Sequence, residues 1–445
     1  MLHINEKVKK ISIEFVYILL VIPVLFLLVN QYPYLLIGSV IISITISLIF
    51  FMRKRAVTNQ HSELSAILLI IFVYLILSYF VSGQNLKNFF SYQFLRNDGN
   101  FFFCYILFFV FSLSSLNYKK IAGYFFKIIF FIFTVFSCVG FIEYFVSPGT
   151  FLVHIEPGIG KMYYALNIAH NATGSVYAIV CISLLVFFFK GKNIKIRLFY
   201  LALLLINMIA LFLTKSRSGC LGFAVAAIVV IWFHFKSIKK FFITIGILTA
   251  GTIPIIFFNG SFQRLIQIRP AENFTTVIRL FIWEKAWYLF SQSPLFGIGY
   301  GRFNDVCNIY RGLFDIGRLR GYPGIVSFYM KQSFYFNSGH AHNSYLQFLT
   351  ETGVVGFILL MLFWILCMVK ILNMYDNAKG DFDSKVLLSS FGSIIVIFVL
   401  SFFENYLSAT TVLVPVSMLL AISIGVFWES KQDLLKSELL NDLKQ

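Results

Sequence analysis

Charge is what this chain has least of. Only 12% of its 445 residues are Asp, Glu, Lys or Arg, and 59% are hydrophobic. Soluble domains carry roughly a quarter charged residues. With a mean hydropathy of +0.84, the chain cannot cover a water-soluble globule and reads as a polytopic membrane protein. Acids are scarcer still, 19 against 36 Lys and Arg. In a soluble chain that excess would suggest nucleic acid. Here the basic residues cluster between apolar runs and no RNA- or DNA-binding motif is visible, so topology explains them and no nucleic-acid partner is expected. Cysteine is sparse as well: six, at 104, 138, 181, 220, 307 and 367, with no Cys-x-x-Cys. Five lie inside apolar runs, which suggests neither a disulfide framework nor a thiolate metal site.

Long apolar runs and 55 phenylalanines are what the chain does have. Runs of roughly 17–25 apolar residues mark spanning helices. Twelve are expected, near 11–30, 34–52, 64–82, 100–116, 121–146, 171–189, 196–214, 218–235, 239–258, 343–369, 385–403 and 407–428. The fold class is therefore an all-α helical membrane bundle. Lys7, Lys9 and Lys10 ahead of the first run resemble a signal sequence, but the run is long and no small-residue cleavage site follows. An uncleaved first span is expected.

The loops alternate in charge. With a cytoplasmic N-terminus, each inside segment carries three or four Lys or Arg, whereas the short outside loops hold only Lys87, Arg96, Lys161, Lys215 and Arg217. That bias orients both termini to the cytoplasm. The organisation expected is spans one to nine over 1–258, one large outside loop over 259–342, spans ten to twelve over 343–428, and a cytoplasmic tail, 429–445, with helically spaced leucines.

The large loop has 84 residues and no spanning stretch. Loops of that length usually carry function or disorder, and this one is too aromatic for disorder. Nine basic residues against four acids could line a positive concavity for an anionic headgroup. Residues 275–292 read as an amphipathic helix. Ile278, Phe281, Ile282, Leu289 and Phe290 fall near one face, and Arg279, Lys285 and Gln292 point elsewhere. Trp283 and Trp287 suit a lipid–water interface. A second outside loop, 147–170, carries His154, Glu156 and His170.

Several polar residues stand where loops meet spans. His342, beside Asn343 at the mouth of span ten, reads either as a structural cap or as a catalytic base. His340 offers a His-x-His metal pair, but metal catalysis needs a third ligand, and no acid sits at an evident spacing. Neither metal nor cofactor is expected. Arg217 occupies a turn between spans seven and eight and either snorkels to headgroups, as Lys215 beside it suggests, or binds phosphate bidentately. Arg279 has the same pair of readings. Glu404-Asn405, in the last outside turn, could orient a sugar or His342. Asp381-Phe382-Asp383 has an Asp-x-Asp form but lies on the opposite face, where a solvated turn is expected.

Three stretches in order resemble the O-antigen ligase and polymerase family: Thr214-Lys215-Ser216-Arg217-Ser218-Gly219, then Arg279-Leu280-Phe281-Ile282-Trp283-Glu284-Lys285-Ala286 with Pro294-Leu295-Phe296-Gly297-Ile298-Gly299, then His342-Asn343 followed by Gly353-Val354-Val355-Gly356. The resemblance covers roughly residues 200–370. It implies a metal-independent, inverting membrane glycosyltransferase at the outer face of a bacterial inner membrane. The donor would be a glycan on undecaprenyl diphosphate and the acceptor a hydroxyl of a lipid-linked glycan or lipid A–core, in lipopolysaccharide or related surface-polysaccharide synthesis. His342 would be the base, Arg217 and Arg279 the diphosphate ligands, and His340, Asn343, Glu404 and Lys215 supporting residues. Membrane lipids are partners, and a chain-length regulator is an optional one. Polymerase is preferred over ligase. The alternative is a flippase of lipid-linked oligosaccharide, which predicts ionisable residues buried mid-span and broken helices. Glu143 and Lys127 are the main charges inside spans, neither with an obvious partner.

Overall fold

A computed structural model describes residues 16–23, 33–53, 62–89, 105, 118–149, 152–156, 160–163, 170–244, 246, 274–303, 340–378, 380–409 and 411–426. The helices are α1 (Pro33–Arg53), α2 (Ser62–Val81), α3 (Tyr118–Val146), α4 (His170–Phe189), α5 (Ile194–Leu213), α6 (Arg217–Phe235), α7 (Phe274–Gln292), α8 (Ser344–Asp376), α9 (Asp381–Leu400) and α10 (Thr411–Val426). Seven of the described helices are long and apolar enough to cross a membrane: α2, α3, α4, α5, α6, α8 and α9. The all-α polytopic expectation holds. Expected span four, most of spans one and nine, the tail and residues 304–339 lie outside the described residues.

Burial sorts the helices into layers. α4 and α9 are the inner pair, with 83% and 78% of their apolar windows buried, against 33% for α5 and for α8. A helix that is apolar all round is a buried one, and Val176–Phe187 of α4 shows that pattern without interruption. α4 packs against α5, α6 and α9, and α8 packs against α9 and α2. Gly222 near the start of α6 faces Val396 and Leu400 near the end of α9, so these two run antiparallel. Ser344 N–H, at the start of α8, donates to Ser401 O at 2.8 Å. The starts of α4, α6 and α8 and the end of α9 therefore share one end of the bundle.

A short hairpin stands at that end. Val153–Glu156 (β1) and Gly160–Tyr163 (β2) form an antiparallel hairpin pairing Val153 with Tyr163. The hairpin is anchored by Glu143, buried near the end of α3, whose carboxylate accepts from Leu152 N–H (2.6 Å) and Val153 N–H (3.0 Å). A charge in that position thus has backbone partners, which the sequence did not suggest. Tyr163 enters the bundle, its hydroxyl 2.9 Å from that of Tyr177, beside Gly140.

α8 is a broken helix. Gly353 has φ 64° and ψ −171°, a backbone state costly for any residue with a Cβ. A continuous helix would bond Val354 N–H to Thr350 O and Val355 N–H to Glu351 O. Those four groups instead meet the segment after α7. Val354 and Val355 donate to Pro294 O and Leu295 O at 2.9 and 3.2 Å, and Thr350 O and Glu351 O accept from Ile298 and Gly299 at 3.0 Å each. The Pro-Leu-Phe-Gly-Ile-Gly stretch is spliced into the break, and every opened backbone group is paired again, as burial requires. Gly297 and Gly353 let the two backbones touch: a Cβ on either would strike the other strand's carbonyl. Gly356 leaves room for Tyr74, whose hydroxyl donates to Thr352 O at 2.5 Å. Beyond the break, residues 354–376 give about 34 Å of helix at 1.5 Å per residue, enough to span.

The Asp-x-Asp stretch is helical, not a turn. Asp381 and Asp383 form the first turn of α9, and Tyr118 Oη donates to Asp383 Oδ1 at 2.6 Å.

Candidate active site

Two short stretches at the shared end have the same local build. Lys215 (φ 53°) and His342 (φ 49°) are left-handed residues without glycine's freedom. Each is followed by an N-cap, Ser216 or Asn343, whose side chain accepts from the backbone N–H three residues on, Gly219 or Leu346, at 3.1 Å. Ser and Asn are preferred caps because their oxygens satisfy an orphaned N–H. Left-handed non-glycine residues cost of order 1–3 kcal/mol and cluster at functional sites. Asn343 is thus occupied as a cap.

His342 is aimed by the turn after α9. Its Nδ1 lies 2.8 Å from Glu404 Oε2, and Arg279 Nη2 of α7 donates to Glu404 Oε1 at 2.9 Å. One carboxylate, 15% exposed, joins two of the residues singled out from sequence. Glu404 is held in turn: Ser344 Oγ donates to its carbonyl at 3.0 Å and accepts from Leu407 N–H at 3.1 Å. Burial pushes the Glu404 carboxyl up, but the hydrogen bond from His342 and the charges of His342, His340 and Arg279 outweigh it, and the net shift is downward. Glu404 is an anion at neutral pH. A carboxylate only accepts, so the hydrogen on that contact belongs to His342 Nδ1, and in the neutral imidazole the lone pair is then on Nε2.

The segment before His342 is clamped from both sides. Trp283 Nε1 of α7 donates to Ala341 O at 3.1 Å, and Ala341 N–H donates to Gln347 Oε1 at 2.6 Å. Gln347 Nε2 reaches Glu351 Oε1 at 2.9 Å, and the same oxygen accepts from Phe303 N–H at 3.1 Å. Lys285 completes this floor. It is 4% exposed, donates to Phe303 O at 3.3 Å and lies over the Phe303 ring at 4.2 Å. Here the amphipathic reading of α7 needs correcting. The helix exists, but Lys285 is buried alongside Ile282, Ala286 and Leu289, because this face packs on α8 and not on lipid. Trp283 likewise serves the loop, whereas Trp287 is 59% exposed as an interfacial residue would be.

His340 sits against His342, ring centroids 4.3 Å apart, and its Nδ1 accepts His342 N–H at 3.3 Å. Burial, then the charge of His342, lower its pKa to about 4, with Arg279 adding to the effect and Glu404 opposing it. His340, His342 and Glu404 also supply the third metal ligand that the sequence withheld: one donor atom from each, all within 4.8 Å of one another. Two imidazoles and a carboxylate are a sufficient protein set for a transition metal with one open position.

Arg217 joins this end through α4. Its turn is packed on Gly174, where a Cβ would strike Ser216, and a Cβ on Gly219 would come within 2.9 Å of the Gly174 backbone. One residue further along α4, the side chain of Ser175 hydrogen-bonds the hydroxyl of Tyr406, two residues from Glu404. The Arg217 turn and the Glu404 turn thus rest on neighbouring residues of one buried helix. Gly219 and Ser216 serve that packing.

Residues 200–361 fit the family model described as O-antigen ligase. That segment of the chain is similar to the O-antigen ligase/polymerase family. The matched stretch runs from α5 through the break in α8, and it takes in Arg217, Arg279 and His342. No curated protein matches the chain. The match supports a general class, that of multi-pass membrane glycosyltransferases acting on lipid-linked glycans.

Proposed function

We propose that this protein acts as a member of that family, transferring a glycan en bloc from undecaprenyl diphosphate to a sugar hydroxyl at the outer face of the bacterial inner membrane, with both termini cytoplasmic. The observation that carries the reading is the His342 Nδ1–Glu404 contact of 2.8 Å. With Nδ1 committed to the carboxylate, Nε2 accepts the proton of the attacking hydroxyl. Its oxygen bonds to the anomeric carbon from the face opposite the diphosphate, the bond to the diphosphate oxygen breaks, and that electron pair leaves with it. The anomeric configuration inverts, and no metal takes part.

Neutralising the leaving diphosphate is the larger share of such catalysis. Arg279 gives Glu404 one of its five N–H donors, and the rest of the fork is offered to phosphate. Arg217 stands at the start of a 19-residue helix, where the dipole adds to its charge. The acceptor is a second lipid-linked glycan, which makes the protein a polymerase in preference to a lipid A–core ligase. The break in α8 does not favour the flippase reading, because the opened groups of Thr350, Glu351, Val354 and Val355 all regain backbone partners from residues 294–299.

The test is transfer by purified protein in detergent, with undecaprenyl-diphosphate glycan offered alone or with lipid A–core, in EDTA. A ladder from donor alone supports polymerase, and a single shift of lipid A–core supports ligase. Transfer undiminished in His342→Ala sinks the mechanism.

A further inference from the structure

We propose that His340, His342 and Glu404 form an inhibitory binding site for a transition-metal dication, zinc being the type case. The three groups converge from two turns: the rings of His340 and His342 have centroids 4.3 Å apart, and Glu404 Oε2 lies 2.8 Å from His342 Nδ1. All three donor atoms fall within 4.8 Å of one another. Tetrahedral zinc with bonds of 2.0–2.2 Å sets its ligands about 3.3 Å apart. The widest separation need contract by only about 1.5 Å, within reach of side-chain rotation. The donor set chooses the ion. Imidazole suits zinc, copper and nickel, whereas magnesium and calcium prefer all-oxygen sites. With side-chain exposures of 31% for His342 and 15% for Glu404, an ion can enter and retain water in its open position.

The surroundings set the character of the site. Arg279 lies 2.9 Å from Glu404 Oε1, and its fixed positive charge opposes a dication. The site is therefore weaker than a dedicated zinc centre and fills only when metal is supplied. A metal ion on His342 takes one ring nitrogen: on Nε2 it blocks the base directly, and on Nδ1 it leaves the neutral ring's hydrogen on Nε2, so that no lone pair is left to accept a proton. Binding then stops transfer; this second half rests on the base role proposed above, and the binding half does not.

The two halves have separate readouts. Full-length protein in detergent, stripped with EDTA and exchanged into chelator-free buffer, is titrated with Zn²⁺ alone by calorimetry, and with Co²⁺ for its visible spectrum. One Zn²⁺ per chain is expected, with affinity at least tenfold weaker in His340→Ala and in the bulkier His340→Gln, each checked for a monodisperse elution profile. His154→Ala, in the hairpin, is expected to bind as wild type does, and Mg²⁺ is expected to give no heat. Absent binding, equal binding by both His340 variants, or loss in His154→Ala overturns the site. In the transfer assay Zn²⁺ should suppress turnover and EDTA restore it. Zn²⁺ that binds through His340 yet leaves transfer unchanged, or raises it, overturns the inhibitory role while leaving the site standing. His342→Ala that loses zinc but keeps transfer shows the base assignment, not the site, to be wrong.

Discussion

Replacing Glu404 by glutamine preserves its shape and tests how His342 is aimed. The carboxylate serves two donors at once, Arg279 Nη2 at Oε1 and His342 at Oε2. Glutamine has one acceptor oxygen and one NH₂, and arginine can only donate. The amide oxygen must therefore face Arg279, which turns the NH₂ toward His342. An NH₂ there requires Nδ1 to accept, so the ring hydrogen moves to Nε2 and the base is lost without any atom being displaced. General-base catalysis contributes about 10²–10⁴-fold, which is about 2.7–5.4 kcal/mol at 1.36 kcal/mol per decade. Single-turnover transfer at saturating donor should slow by that factor in Glu404→Gln. Glu404→Gln with His342→Ala should be no slower than His342→Ala alone, since both remove one function. Turnover within threefold of wild type, or losses that multiply in the double variant, would refute the positioning role.

The other expectations concern the frame around the dyad. Gly353→Ala forces a Cβ against the Leu295 carbonyl at φ 64°; a loss of at least about 1–3 kcal/mol should lower the melting temperature in detergent. Gly123→Ala, with open space around it, should not. Trp283→Phe removes the bond to Ala341 O, worth about 1 kcal/mol; transfer should fall severalfold while melting changes little, and a large melting shift with normal transfer would count against the clamp. Glu143→Gln leaves one acceptor for two backbone donors; hydrogen exchange at Leu152 and Val153 should quicken, and unchanged protection would show that the hairpin is held by Tyr163 instead.

Local features were legible in the sequence because local physics makes them. The boundaries of α7 follow from short-range pattern, and so does the junction of loop and helix at His342. What stayed hidden depends on contacts across the chain. Glu404 was legible as a residue that could orient His342, but the contact was not: it stands 62 residues away in sequence and is brought there by the antiparallel return of α9, which no spacing rule predicts. Lys285 looked solvent-facing because an amphipathic reading assumes one apolar partner surface. α7 meets α8 on that side, and Phe303 supplies a carbonyl and a ring in place of water. The hairpin has strands of only four residues, too short for alternation to register. A trace of the floor was visible: Gln347 and Glu351, polar and four apart in an apolar run, were a signal that went unread.

The glycine-rich stretches carry a different lesson. Pro294–Gly299 and Gly353–Gly356 make the resemblance to the family specific, yet their glycines contribute backbone, not chemistry. They allow residues 294–299 to complete the hydrogen bonds of the opened α8, which fixes α7 against the turn of α8 that carries Gln347 and Glu351. That turn holds Ala341, and Ala341 is also held by Trp283 of α7. Arg279 and His342 start from separate elements, and the splice gives those elements one rigid relation. The motif glycines and the motif cations are thus one device. The first determine how α7 meets α8, and only with that fixed can a single carboxylate, Glu404, reach the guanidinium and the imidazole together.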